Sequence, residues 1–282
     1  MHYDPTRLAL FHPERLPPLD PALLAPGSDG LAAELARLAY LRFEDDPAPL
    51  LAALAALGLT GAGLLHDPQV GSQGFAALDG AGTAWLAFRG TQPDSLKDLA
   101  TDARAWPREW PGGGRVHAGF ARAWLGGGAG ALAEQVARWL ADMAPARIVA
   151  TGHSLGGALA TLLAAGDERA ELVTFGSPRV GDRAFAARFA GRPARRYANC
   201  CDLIARIPPE PVYAHVGTLH YADRHGRLHV APAESLITAD RRAGSLGYLR
   251  RHAWRPGTVL LRSLADHAPV NYISAVLGLR EG

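Results

Sequence analysis

The clearest chemical spacing in this chain is Gly152-His153-Ser154-Leu155-Gly156, a serine with glycine two positions to either side. A hydroxyl in this G-x-S-x-G pattern can act as a nucleophile if the backbone lifts it clear of the fold. A sharp strand-to-helix turn does so: the serine takes a strained conformation, and the glycines let strand and helix pass closer than larger side chains would permit. Both flanking elements are written around it. Arg147-Ile148-Val149-Ala150 is a short run with two β-branched residues that suits a buried strand, and Ala158 to Ala165 is a run of mostly good helix formers ending near Gly166. Ser154 is therefore the candidate nucleophile, and the Leu155 N–H at the helix start is a candidate donor to the oxyanion that attack would create. The plainer alternative is a glycine-rich turn with an N-capping serine. A nucleotide-binding turn would need G-x-G-x-x-G or Gly-Lys-Ser/Thr, and neither stands here.

A serine hydroxyl is a weak nucleophile. It needs an imidazole to take its proton and a carboxylate to hold that imidazole's tautomer. Eleven histidines compete for the base role. His215, His220 and His229 fall within strand-like runs, whereas His267 sits in a loop beyond them, with His252 in reserve. Asp202 and Asp182 compete for the carboxylate. Asp182 directly precedes a helical segment, Ala184 to Phe189, where an N-cap is its plainer role.

With 282 residues, 48% of them apolar and 20% charged, the chain can bury a large core in one α/β domain or two small ones. A net charge of +2 with scattered arginines gives no support to nucleic-acid binding. The only two cysteines are neighbours, Cys200 and Cys201. They exclude a disulfide-stapled framework and are a poor metal site by themselves. Free thiols in a reducing compartment fit them best. Met1 to Pro5 shows no secretory pattern, so the expectation is a cytoplasmic protein, with a mature secreted form also compatible. The longest apolar tract, Pro49 to Leu65, is short for a membrane span and broken by three glycines. It reads as a buried helix with a glycine C-terminus.

Residues 1–28 carry six prolines and read as an extended arm. Leu31, Leu35, Leu38 and Leu41 lie on one face of a helix that should cover a sheet. Gly74 to Leu78 and Thr83 to Phe88 flank Asp79-Gly80-Ala81-Gly82, a hairpin signal, and Val212 to Val230 reads as further sheet and hairpin.

Phe88-Arg89-Gly90-Thr91, Val116-His117-Ala118-Gly119-Phe120, Thr151 to Ala160, and Thr174-Phe175-Gly176-Ser177-Pro178-Arg179-Val180-Gly181-Asp182 follow one another in an order and spacing that resembles the class 3 (fungal-type) lipases. The resemblance spans roughly residues 83 to 210. Arg196 to Pro209 is similar to that family's acidic motif, with Asp202 at the matching position. Ala265 to Ile273 is similar to its last motif, with His267 at the base position.

The resemblance implies an α/β-hydrolase fold over residues 1–282, with a mostly parallel central sheet and helices on both faces. It further implies a triad in the chain order Ser154, Asp202, His267 and an oxyanion hole formed by Thr91 with Leu155. It implies a lid over residues 92–115, where a short helix, Asp94 to Ala105, precedes Trp106 and Trp110. Tryptophans in so polar a stretch should cover something apolar or meet lipid; the alternative is packing against the domain body. His153 matches a structural histidine. The implied activity is hydrolysis of carboxylic esters, triacylglycerols first, without cofactor or metal, on an ester or lipid substrate at a lipid–water interface. Phospholipase A1 or a short-chain or aryl esterase on the same fold is the alternative, and a silent lipid-binding protein a more distant one.

Overall fold

The computed structural model describes residues 3–90, 106–126, 128 and 130–279. Its centre is an eight-stranded sheet in the order β1-β2-β3-β6-β7-β8-β9-β10. The strands are β1 (Thr60–Asp67), β2 (Ser72–Leu78), β3 (Thr83–Phe88), β6 (Arg147–His153), β7 (Ala170–Phe175), β8 (Ala194–Asn199), β9 (Thr218–Ala222) and β10 (Leu228–Val230). A separate hairpin pairs β4 (Pro107–Glu109) with β5 (Arg115–His117). β1, β2 and β3 are antiparallel; β3, β6, β7, β8 and β9 run parallel; β10 turns back along β9.

The helices are α1 (Arg7–Phe11), α2 (Asp29–Leu38), α3 (Ala48–Ala56), α4 (Ala118–Leu125), α5 (Leu132–Met143), α6 (Leu155–Gly166), α7 (Arg183–Ala187), α8 (Glu234–Arg251), α9 (Arg262–Ala265) and α10 (Pro269–Val276). One face of the sheet packs Trp85, Val149 and Phe175 against Leu31, Leu35 and Leu38 of α2, Leu50 and Leu54 of α3 and Ile273 of α10. The other packs Leu86, Phe88 and Ile148 against Phe120, Val136, Leu159 and Leu162 of α4, α5 and α6. With both faces covered, β3 and β6 read as continuous apolar runs rather than alternating ones. The mostly parallel sheet between helical layers matches the expected fold class.

Three local expectations need correction. The tract from Pro49 to Leu65 is not one helix: α3 ends at Ala56 with Leu57 as its cap, Gly58 turns the chain at φ 72°, and β1 pairs with β2 from Thr60 onward. A left-handed glycine ends the helix at little steric cost, and the ladder then claims the remaining residues. Residues 1–28, read as extended, contain α1 and two 3₁₀ turns, and Ala9 and Leu10 bury themselves against Ile204, Tyr248 and Val259. Val212 to Gly217 adds no strand; only Ala214 bridges, to Gly181, before β9 begins.

Candidate active site

β6 delivers the chain to Ser154 and α6 carries it away. Ser154 has φ 58° and ψ −127°, a region that a non-glycine residue occupies at a cost of about 1–3 kcal/mol, so the surrounding structure must impose it. A Cβ on Gly152 would lie 2.3 Å from the Gly156 carbonyl carbon, and one on Gly156 would lie 2.0 Å from the Phe88 carbonyl oxygen. Hence both positions require glycine. The capping alternative fails, since the Ser154 side chain makes no cap hydrogen bond to α6. The Leu155 N–H belongs to the first helical turn, where N–H groups have no carbonyl partner within the helix.

Asp202 follows β8. Its Oδ1 accepts from the Ile204 N–H at 2.8 Å, and its Oδ2 accepts from the Tyr272 hydroxyl at 2.5 Å and from His267 Nδ1 at 2.8 Å. His267 occupies the turn between α9 and α10, and both members of the pair are buried. A carboxylate only accepts, so the proton of neutral His267 resides on Nδ1 and Nε2 keeps its lone pair. Burial, then the Asp202 charge, pushes the Tyr272 hydroxyl well above its usual value and keeps it a neutral donor.

These groups converge around the end of β7. The Ser154 N–H donates to the Phe175 carbonyl at 3.0 Å. At the next residue, Gly176, a Cβ would lie 2.8 Å from Asp202 Oδ2 and 3.1 Å from His267 Nδ1. The His153 and His267 rings are 4.4 Å apart. Ser154 Oγ and His267 Nε2 are both buried, and neither has a hydrogen-bond partner among the described residues. A hydroxyl and a basic nitrogen left unengaged beside a strained turn can jointly transfer a proton and attack a carbon.

His153 is a brace. Its Nε2 lies 2.7 Å from the His267 carbonyl, which can only accept, so Nε2 carries the proton and Nδ1 accepts from the Tyr40 hydroxyl at 2.8 Å. Burial, then the neighbouring His267, holds its pKa well below the usual value. A second buried acid, Asp266, ties the two loops together: Oδ1 accepts from the Tyr3 hydroxyl at 2.8 Å, and Oδ2 from the Cys201 N–H at 2.8 Å and Arg262 Nε at 3.0 Å. Cys200, Cys201 and Asp266 bring potential metal-ligand atoms within 4.8 Å of one another. Both Asp266 oxygens are engaged, however, and the Arg262 guanidinium opposes a cation there. Both thiols are free and buried.

Tyr40 and Tyr272 carry no functional signal in the sequence beyond their places in apolar or helical runs, and Asp266, beside His267 in the family's last motif, gives no sign there of its bonds to Tyr3, Cys201 and Arg262. Asp182 caps α7 through the Phe185 N–H at 2.9 Å, as its plainer role required. His252 closes α8 beside the rings of Tyr3 and Tyr248. His215, read as part of a strand, lies outside the strands, and burial followed by the charges of Arg196 and Arg179 holds its pKa well below the usual value.

Thr91 and residues 92–105, including the expected helix from Asp94 to Ala105, lie outside the described residues. The two tryptophans of the expected lid part ways. Trp106 is 87% exposed, while Trp110 is 8% exposed and packs edge-on to Phe185 at 6.4 Å. Trp110 is thus a packing residue. No helix among the described residues is long and apolar enough to cross a membrane.

Residues 85–212 match the family profile described as lipase (class 3). A lipase of Rhizomucor miehei is 32% identical over an alignment of 160 residues that covers 52% of this chain and 42% of the relative. The structure of that organism's lipase–propeptide complex aligns with TM-score 0.56 at 25% identity, covering 68% of this chain and 66% of that one. A triacylglycerol lipase of Arabidopsis thaliana, OBL1, is 29% identical over an alignment of 214 residues that covers 56% of this chain and 41% of the relative. A fungal lipase–inhibitor complex described as a model for interfacial activation aligns with TM-score 0.54 at 26% identity, covering 69% of this chain and 77% of that one. The chain spans less than half the length of the two curated relatives.

Proposed function

Since the chain belongs, through residues 85–212, to the class 3 lipase family of the α/β-hydrolase superfamily, we propose that it hydrolyses carboxylic esters, triacylglycerols first among them, through an acyl-enzyme on Ser154. Ser154 Oγ attacks the ester carbonyl carbon while His267 Nε2 takes its proton. Asp202 holds the imidazole by Nδ1 and stabilises the imidazolium. The Leu155 N–H and, by the family motif, Thr91 receive the oxyanion, each donor being worth about 3 kcal/mol. His267 returns its proton to the departing alcohol, and water then repeats the sequence to release the acid. Residues 1–282 act as one α/β-hydrolase domain in this proposal, and the substrate is met at a lipid–water interface.

The observation that carries the reading is the strained, capless Ser154 beside a buried His267–Asp202 pair, with Ser154 Oγ and His267 Nε2 both unengaged among the described residues. Its test is a panel of p-nitrophenyl esters of graded chain length together with triolein and phosphatidylcholine. Hydrolysis of triolein and long-chain esters, lost in Ser154→Ala, is the expected outcome. Cleavage of phosphatidylcholine in preference would make the enzyme a phospholipase, activity on short esters alone would make it an esterase, and no hydrolysis at all would refute the reading.

A further inference from the structure

The C-terminal segment 241–265 lies beyond the family match and differs in character from the rest of the chain. It holds six arginines and no acidic residue, in a protein whose net charge is only +2. Arg262 is spent on Asp266, and Arg241 approaches Glu234. Arg242, Arg250, Arg251 and Arg255 are exposed, with no ion-pair partner among the described residues. The same stretch exposes apolar surface: Trp254 is 88% exposed, Leu260 65% and Leu261 55%, joined by Leu246 and Leu249.

On α8 the buried residues Ile237, Gly244 and Tyr248 define the inward face. At 3.6 residues per turn, Arg242, Leu246 and Leu249 then lie on the opposite, outward face. The loop after α8 is held rather than loose. The Thr258 hydroxyl lies 2.8 Å from both the His252 and the Arg255 carbonyl and shares its one proton between them, and the Tyr248 hydroxyl donates to the Val259 carbonyl at 2.5 Å. Trp254, Leu260 and Leu261 are therefore presented on a fixed loop. This loop adjoins the site: the Leu203 N–H, next to Asp202, donates to the Ser263 carbonyl at 3.3 Å, and α9 leads directly into His267.

Unpaired arginines interleaved with exposed leucine and tryptophan suit the boundary layer of a lipid surface that carries negative charge: the side chains enter among the acyl chains while the guanidiniums meet phosphate. We propose that the outward face of α8 and the loop 252–261 form a docking surface for an anionic lipid surface, which seats the molecule with the Asp202 and His267 loops toward the lipid. The proposal rests on the ester-hydrolase reading for its purpose but not for its test.

The test is vesicle flotation with Trp254 fluorescence, using phosphatidylcholine alone and phosphatidylcholine with about a third phosphatidylglycerol, at low and high salt. The full chain should float with the anionic vesicles with a blue-shifted emission, at least tenfold more than with the neutral ones, and lose this in high salt. W254S/L260S/L261S and R250Q/R251Q/R255Q should each reduce partition at least tenfold while keeping the thermal midpoint and the hydrolysis of a soluble acetate ester. Ser154→Ala should float like the parent chain, so the two readings fail separately: a parent chain that floats but hydrolyses nothing would sink the catalytic reading and leave the surface standing. Equal binding to neutral vesicles, no binding to either, or undiminished binding by folded variants would each overturn the proposal. Reversible self-association abolished by the leucine and tryptophan changes, without vesicle binding, would assign the surface to a second copy instead.

Discussion

Acidification should destabilise this protein well above the pH at which its carboxylates protonate. His153 and His215 are both held well below their usual pKa by burial, aided by His267 in the first case and by Arg196 and Arg179 in the second. Below about pH 6.5 the unfolded chain binds a proton at each, and the folded chain does not, so stability rises with pH across this window and falls as acid is added. While the folded forms stay neutral, each histidine removes about 1.4 kcal/mol per pH unit below about pH 6.5, or about 2.7 kcal/mol per unit together. That is a large share of a typical total of about 5–15 kcal/mol. His220 and His252 are lowered too, by burial first, but they are largely solvated and contribute little through screening. Carboxylates held low, such as Asp29 and Asp223, add their part only below about pH 4. The assay is urea unfolding followed by tryptophan fluorescence at half-unit pH steps, with His215→Gln expected to halve the slope. A change below about 1 kcal/mol over this range, or a slope untouched by His215→Gln, would show that these histidines are protonated in the folded protein and refute the reasoning.

Tyr272→Phe removes the shortest bond to Asp202 and should cost about 1.5–3 kcal/mol of stability, as for a hydrogen bond to a charged group; chemical denaturation reads this, and kcat should fall with KM unchanged. Gly176→Ala drives a methyl between Asp202 and His267 and should lower kcat at least 100-fold with the fold retained, as judged by circular dichroism; near-normal turnover would mean that the pair is not catalytic. Trp110→Ala should cost about 3–5 kcal/mol by leaving a cavity against Phe185, and Trp106→Ala should stay within about 0.5 kcal/mol; equal thermal shifts would contradict the division between them.

The elbow was legible because its requirements are local. Only glycine tolerates the close approach at 152 and 156, and the strand before and helix after announce themselves by residue type. The positions of Asp202 and His267 came from the family's motif order, and β2 and β3 from a turn sequence that allows a positive φ at Gly82. What stayed hidden depends on long-range contact. Tyr40 reaches His153 across 113 residues and Tyr272 reaches Asp202 across 70, and neither hydroxyl is marked by its neighbours in the chain. β1 was hidden for another reason: Leu64 and Leu65 are as apolar as a helix continuation would be, and the pairing with β2 decides. The tryptophans shared one flanking composition, and tertiary packing alone separated them.

The account's central claim is that Ser154 is a nucleophile activated by His267 and Asp202, and covalent labelling with a fluorophosphonate tests it most directly. The parent chain should take up one label per molecule, mapped by peptide mass to Ser154. His267→Ala and Asp202→Asn, folded by circular dichroism, should label slower by about three orders of magnitude or more. No label on the folded parent chain, label on another residue, or labelling of Ser154 at an undiminished rate in His267→Ala would contradict it.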